Sequence, residues 1–179
     1  MRKNVLITGP ILTQSGYGVH ARTIYRALKS REDVFDIYIQ PINWGNTSWL
    51  WENDEERVEI DHIIGKTQIY RQEGGSFDLN LMVTIPPEWE QYRVPAQNIG
   101  ITAGIESSKV AVSWIHAGNN FVEKIIVPSE FSKKTYENTE YTLADGGKLK
   151  LTTPIEVVNY PVREYEKIDL PFEPEHDFN

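Results

Sequence analysis

The stretch KNVLITGPILTQSGYGVHARTIYRALKS, residues 3–30, defines the first unit of the fold. Its apolar run at residues 4–8 predicts a buried β-strand, which a glycine-bearing loop follows. From residue 19 to residue 30 apolar side chains return at positions 21, 24, 27 and 28, which is helical spacing. The stretch therefore predicts a strand, a long loop and a helix with one apolar stripe that lies on a sheet.

The loop in front of this helix is a candidate binding site. A helix N-terminus presents unpaired backbone N–H groups and the positive end of its dipole, and glycines let a ligand approach the backbone closely. Gly16, Tyr17 and Gly18 are therefore candidate substrate-binding residues. His20 in the first turn either contacts the ligand or caps the turn, and Arg22 either supplies positive charge or points into solvent.

Charge along the chain indicates which ligand this loop would take. The chain has a net charge of −8, yet no Asp or Glu precedes Glu32. A locally cationic first unit in an acidic protein favours an anionic ligand, with phosphate the leading candidate.

The rest of the chain alternates apolar runs with helical stretches, which is typical of an α/β protein with a mainly parallel sheet. Asp145-Gly146-Gly147 predicts a turn, and Ser129 is the expected N-cap of a helix. Further helices are predicted up to about residue 71 and at 109–117. Further strands are predicted at 34–40, 77–83, 98–103, 124–127 and 155–158.

Composition limits the classes of function. The 179 residues suit one domain, expected at 1–160, followed by an acidic linker or tail at 161–179. With no cysteine, no membrane-length apolar run and no signal peptide, a cytoplasmic protein without disulfides is expected. The acidic balance argues against nonspecific nucleic-acid binding, and the four scattered histidines make a metal site improbable.

Three other features leave alternatives open. Gly16-x-Gly18-x-x-Ala21 matches the dinucleotide fingerprint, but the loop before it is too long and no acidic residue ends the second strand. Tryptophans 44, 49, 51 and 89 fall in predicted loops, where each either covers a ligand or anchors its loop. Glu106 follows a predicted strand and either contacts a substrate hydroxyl or caps the next helix.

Several blocks of the chain resemble one enzyme family. The block Val127-Pro128-Ser129-Glu130-Phe131-Ser132 after a strand is similar to the end of the N-terminal domain in retaining GT-B glycosyltransferases of the mannosyltransferase-like group (group 1, family-four type). The same pattern is matched by the glycine loop, by residues 100–106, by Trp114 and Asn119-Asn120, and by residues 157–161.

This resemblance implies the N-terminal, Rossmann-like half of a two-domain enzyme, with the sheet flanked by helices. That half binds a sugar, lipid or protein acceptor and closes its glycine loop over the diphosphate of a nucleotide-sugar donor, without a cofactor. Glu106 matches the family's strand-end glutamate and is the expected catalytic residue. In the full-length enzyme Gly18→Val and Glu106→Ala are expected to reduce transfer without unfolding the domain.

The donor-binding C-terminal half has no counterpart in these 179 residues, so a piece of a longer enzyme is expected, with a naturally short protein as the alternative. The isolated domain is expected to transfer little or nothing. Two other functions stay open: a stand-alone Rossmann-like binding or interaction module without catalysis, and a nicotinamide oxidoreductase.

Overall fold

A computed structural model of the chain describes residues 2–161. The expected linker or tail therefore lies, apart from its first residue, outside the described residues. The strands are β1 (Lys3–Gly9), β2 (Phe35–Pro41), β3 (Leu79–Val83), β4 (Gln97–Ile101), β5 (Lys124–Val127), β6 (Tyr141–Thr142), β7 (Lys148–Leu149) and β8 (Ile155–Val157). The helices are α1 (Gly16–Lys29), α2 (Glu55–Gln72), α3 (Trp89–Tyr92), α4 (Val112–Phe121) and α5 (Glu130–Asn138), with a 3-10 turn at Pro86–Glu88 before α3.

Six strands form one sheet in the order β2-β1-β3-β4-β5-β8, and every pairing within it is parallel. Strand β1 pairs with both β2 and β3, so the chain direction across the sheet reverses there. In open parallel sheets, ligands bind outside the carboxyl ends of the strands near such a reversal. The predicted α/β fold with a mainly parallel, Rossmann-like sheet is confirmed.

Helices cover both faces of the sheet, because parallel strands are apolar on both sides. On one face Val5 and Ile7 of β1 pack with Ala21 and Tyr25 of α1 and with Ile60 of α2. The opposite face carries a second cluster, in which strand residues pack against α3, α4 and α5. Its buried members include Met82, Trp89, Ile115, Ile125 and Tyr136.

The first face is covered unevenly. Helix α1 contacts β1, β2 and β3, and α2 contacts β2. Beyond α1, Ile99 of β4 and Ile126 of β5 are only half-buried. This leaves an apolar strip of sheet beside α1, and Ile126 of this strip contributes to the floor of the cavity described below.

Several element boundaries differ from the predictions. Helix α1 begins at Gly16 and not at residue 19, because the hydroxyl of Ser15 accepts a hydrogen bond from the Gly18 amide at 2.9 Å and caps the helix. Helix α4 begins at Val112, three residues later than predicted, and β4 ends at Ile101 instead of 103. The predicted cap at Ser129 is confirmed by its hydrogen bond from the Ser132 amide at 3.1 Å.

The predicted turn at 145–147 is also confirmed, and it joins a small antiparallel hairpin of β6 and β7 that the sequence pattern did not reveal. Gly146 has a φ of +83°, a left-handed conformation that favours glycine.

Candidate functional site

An open cavity of about 1500 Å³ lies between α1 and the half-covered strip of the sheet. Its floor is apolar and comes from neighbouring strands, as the positions of Leu81, Ile101 and Ile126 show. Val19 on its α1 wall is 53% exposed, so the cavity opens to solvent. The chain after β8, residues 158–161, borders the cavity as well. We call this space the cleft.

Tyr17 joins two distant parts of the sequence at the carboxyl end of the sheet. Its hydroxyl accepts a hydrogen bond from the Ala103 amide at 3.1 Å and lies 2.9 Å from the Thr102 hydroxyl. Burial raises the pKa of the Tyr17 phenol, although these two contacts oppose the shift. The first turn of α1 is thereby fixed against the residues that follow β4.

An aromatic pair forms the rim of the cleft at this end. The rings of Tyr17 and Trp44 lie 4.5 Å apart between centroids, and both residues line the cleft. Trp44 comes from the loop after β2. One of the four tryptophans singled out by sequence thus reaches the cleft, where a flat apolar surface is available to a ligand.

His20 lines the cleft one turn further along α1. Its ring packs edge-on against Tyr160, with 4.8 Å between the ring centroids. The Nδ1 atom is buried and has no hydrogen-bond partner among residues 2–161. Burial lowers the pKa of His20 from 6.5 to about 4, so the imidazole is neutral at pH 7.

This shift predicts a pH dependence of stability. Between pH 6.5 and about pH 4, the unfolded chain binds a proton at His20 that the native protein does not bind. The free energy of unfolding should therefore fall as the pH falls through this window, and His20→Gln should remove that part of the fall. Urea titrations at a series of pH values measure both curves.

Other acidic groups titrate in the wild type and the variant alike, so the difference between the two curves isolates His20. That difference should be constant above pH 7 and should change between pH 6.5 and pH 4. Parallel curves over the whole range would contradict the burial of this ring.

The two glycines of the first turn have different surroundings. A Cβ on Gly18 would lie 2.2 Å from the Thr13 carbonyl oxygen, whereas a Cβ on Gly16 would meet nothing within 4 Å. Gly16 is exposed and lines the cleft, but Gly18 is buried against the loop after β1. A side chain at Gly18 would displace Thr13, so Gly18→Val is expected to destabilise the domain, and its effect on transfer would not report on ligand binding alone.

The helix N-terminus nevertheless keeps free donors. No hydrogen bond is found for the backbone amides of Gly16 and Tyr17 within the part of the chain that the structure describes. These are two of the unpaired N–H groups that a helix start leaves available to an anion.

Arg22 holds the loop after β1 and does not line the cleft. Its side chain is buried, and Nη1 donates to the carbonyl oxygens of Ile11 at 2.6 Å and Thr13 at 2.9 Å. The sequence leaves two roles open for Arg22, which either supplies positive charge to a ligand or points into solvent. The structure instead gives this arginine a role in supporting the loop.

Two of the four cations in the first unit are balanced by a distant segment. Arg26 forms a two-point ion pair with Glu56 of α2, at 2.5 and 2.7 Å, and Lys29 pairs with Glu59. The first unit itself contains no acidic residue, as predicted, but two of its four cations are neutralised because the acidic first half of α2 packs beside α1.

Glu106 is exposed in the segment between β4 and α4, and it is not among the residues that line the cleft. The structure thus brings Gly16, Tyr17 and His20 together and leaves Gly18, Arg22 and Glu106 outside the lining. Asn159 and Tyr160 were missed as lining residues. Their position after the last strand was the available signal, because the carboxyl ends of parallel strands share one edge.

Two further kinds of site are absent from residues 2–161. No group of three or more His, Asp or Glu side chains is arranged to hold a metal ion there. In the same range no helix combines the length and apolarity needed to cross a membrane.

Comparison with known proteins assigns no family. No family model matches the chain, and no solved structure matches it. Over 90 residues, 49% of the chain, it is 33% identical to the toxin subunit YenC2 of Yersinia entomophaga. The matched part makes up 9% of that protein, so the chain spans a small fraction of the relative's length.

Proposed function

We propose that this chain is the N-terminal, acceptor-side half of a retaining glycosyltransferase of the GT-B type. It would take part in moving a sugar from a nucleotide-diphosphate sugar to an acceptor hydroxyl. The observation that carries the proposal is the free first turn of α1 at the rim of an open cleft. The amides of Gly16 and Tyr17 have no hydrogen-bond partner there among residues 2–161, and they lie next to residues that follow β4.

The chemistry of the proposed reaction suits this geometry. When the glycosidic bond of the donor breaks, negative charge develops on the leaving diphosphate. Backbone N–H groups at a helix N-terminus stabilise such charge, and they are already oriented before the reaction. Tyr17 supports this role because its hydrogen bonds to Thr102 and Ala103 hold the turn in place.

The shape of the cleft supports the presence of a second domain beside this one. One side is formed by α1 and the floor by the sheet, while Ile99 and Ile126 remain half-buried. A parallel sheet is normally covered on both faces, and an apolar strip open to water is a place for another element. We propose that a donor-binding domain stands opposite α1.

The test is a transfer assay on the product of the complete reading frame, with a panel of UDP- and GDP-sugars and with sugar, lipid and protein acceptors. Transfer is expected with at least one pair. Glu106 lies outside the cleft lining, so its catalytic role rests on the family resemblance alone. If that role holds, Glu106→Ala lowers kcat by about 100-fold, the size of a lost acid–base contribution. Glu137→Ala is the matched control, because Glu137 is also exposed, lies on α5 and belongs to none of the blocks that carry the resemblance.

The outcomes separate the alternatives. Wild-type turnover of the Glu106 variant would reject the role of this residue but not the enzyme. If no donor is consumed and the reading frame encodes no second domain, the stand-alone binding module is the better description. The exposed tryptophans 49 and 51 are the observation in favour of that module.

A further inference from the structure

A second cavity, of about 290 Å³, lies between α1, the first turn of α2 and the loop after β2. We call it the Trp51 pocket. Three arginines and three carboxylates line it: Arg22, Arg26, Arg57, Glu52, Asp54 and Glu56.

The charges of the Trp51 pocket cancel. Arg26 is paired with Glu56, and Arg57 pairs with Asp61 at 2.9 Å while donating to the Leu50 carbonyl oxygen at 2.6 Å. A site for phosphate would carry an excess of positive charge, as phosphate-binding clusters do. This pocket offers hydrogen-bond donors and acceptors in about equal measure, which suits a neutral ligand with many hydroxyl groups.

Arg22 gives the pocket an unused polar group. The residue is 8% exposed, and its Nη1 is bound to two carbonyl oxygens of the loop after β1. No hydrogen bond from its Nε or Nη2 is found among the residues the structure describes, and no ion pair either. Neither atom is sealed from solvent, so these N–H groups are donors that a hydroxylated partner or water in the pocket can reach.

Trp51 supplies an apolar plate at the rim. Its side chain is 78% exposed, an unusual position for so large an apolar group. An exposed indole offers a flat face to the C–H side of a sugar ring, while polar groups behind it reach the hydroxyls. A volume near 300 Å³ is at the lower limit of small-molecule sites, which limits the occupant to about one ring.

We infer that the Trp51 pocket binds one neutral pyranose ring, stacked on Trp51 and hydrogen-bonded to the arginine and carboxylate groups. Gln14, which also lines the pocket, adds an amide donor and acceptor. This site does not depend on the proposed transferase activity, since a carbohydrate-binding module would use it equally.

The experiment is an NMR titration of the 15N-labelled chain. The probes are the methyl α-pyranosides of glucose, mannose and galactose, with N-acetylglucosamine. The indole N–H signal of Trp51, identified by its loss in Trp51→Phe, should shift saturably with at least one probe. The expected dissociation constant is about 1–10 mM, and Trp51→Ala, followed through backbone amides of the pocket, should weaken binding about tenfold.

Phe131→Ala is the matched control, because Phe131 is an exposed aromatic residue on α5, outside this pocket. The Phe131→Ala variant should bind the pyranosides with the same affinity as the wild type. Sorbitol, an open-chain polyol, tests whether binding requires a closed sugar ring. Inorganic phosphate tests whether the pocket prefers a charged ligand. The proposal is overturned by the absence of any shift up to about 100 mM of every pyranoside. Equal binding of sorbitol or phosphate, or an unchanged affinity in Trp51→Ala, overturns it as well.

Discussion

Replacing Trp89 with alanine is expected to lower the free energy of unfolding by about 3–5 kcal/mol, the usual cost of removing a large core aromatic group. The indole is fully buried and packs in the second core cluster with Met82, Ile115 and Tyr136. Because domains of this size are stable by about 5–15 kcal/mol, the variant should lose a large part of its stability. Urea unfolding followed by far-UV circular dichroism measures the loss.

The hole left by Trp89 cannot be filled from the sheet. Gly100 of β4 lies over the indole, and a Cβ there would be 2.5 Å from the Cζ2 atom of the ring. Trp51→Ala is the matched control, since Trp51 is 78% exposed and its truncation should change stability by no more than about 0.5 kcal/mol. A loss below about 1 kcal/mol for Trp89→Ala would contradict the burial of this ring.

Most strands were predictable from sequence for a simple reason. A parallel strand is covered on both faces, so its residues form a continuous apolar run that ends at glycine, proline or polar residues. The runs at 4–8, 34–40 and 124–127 correspond to β1, β2 and β5 with differences of at most one residue at each end. The ends of such strands can be predicted because they depend on the local sequence alone.

Contacts between distant segments were not predictable. The residues of α1 alone do not determine its electrostatic surroundings, because its neutralising partners Glu56 and Glu59 lie thirty positions further along the chain. Trp89 falls in a predicted loop because no periodic pattern surrounds it, although it is buried in the core. The one available signal was Gly100, since a glycine inside a strand often marks the close approach of another group.

The predicted ligand-binding turn lies at a cleft, whereas the residues that line this cleft differ from those predicted, and ligand binding there stays a prediction. Sequence placed the ligand at the first turn of α1, and this turn does line the cleft. The sequence alone could not show that Gly16 faces the cleft while Gly18 packs against the loop after β1. Glycine is needed both where a ligand approaches the backbone and where the protein's own loop does, and the two cases have the same sequence signature.

A substitution at Gly18 should distinguish these two uses of glycine. Gly18→Ala is expected to lower the free energy of unfolding by about 2–3 kcal/mol, the upper range for forcing a methyl group into a packed site. The added Cβ would lie 2.2 Å from the Thr13 carbonyl oxygen and 3.0 Å from that of Pro10. Both atoms belong to the loop that Arg22 holds, so the loop must move. Urea titration at pH 7 measures the loss.

Gly16→Ala is the matched control, two positions earlier in the same turn. Its Cβ meets nothing within 4 Å, and its φ is not in the left-handed region. This change should therefore be neutral or stabilise by about 0.4–1 kcal/mol, because alanine restricts the unfolded chain. Equal losses in the two variants would mean that the turn is sensitive as a whole. A loss confined to Gly18 means that the loop after β1 packs on α1 at this one glycine, which leaves Gly16 as the glycine accessible to a ligand.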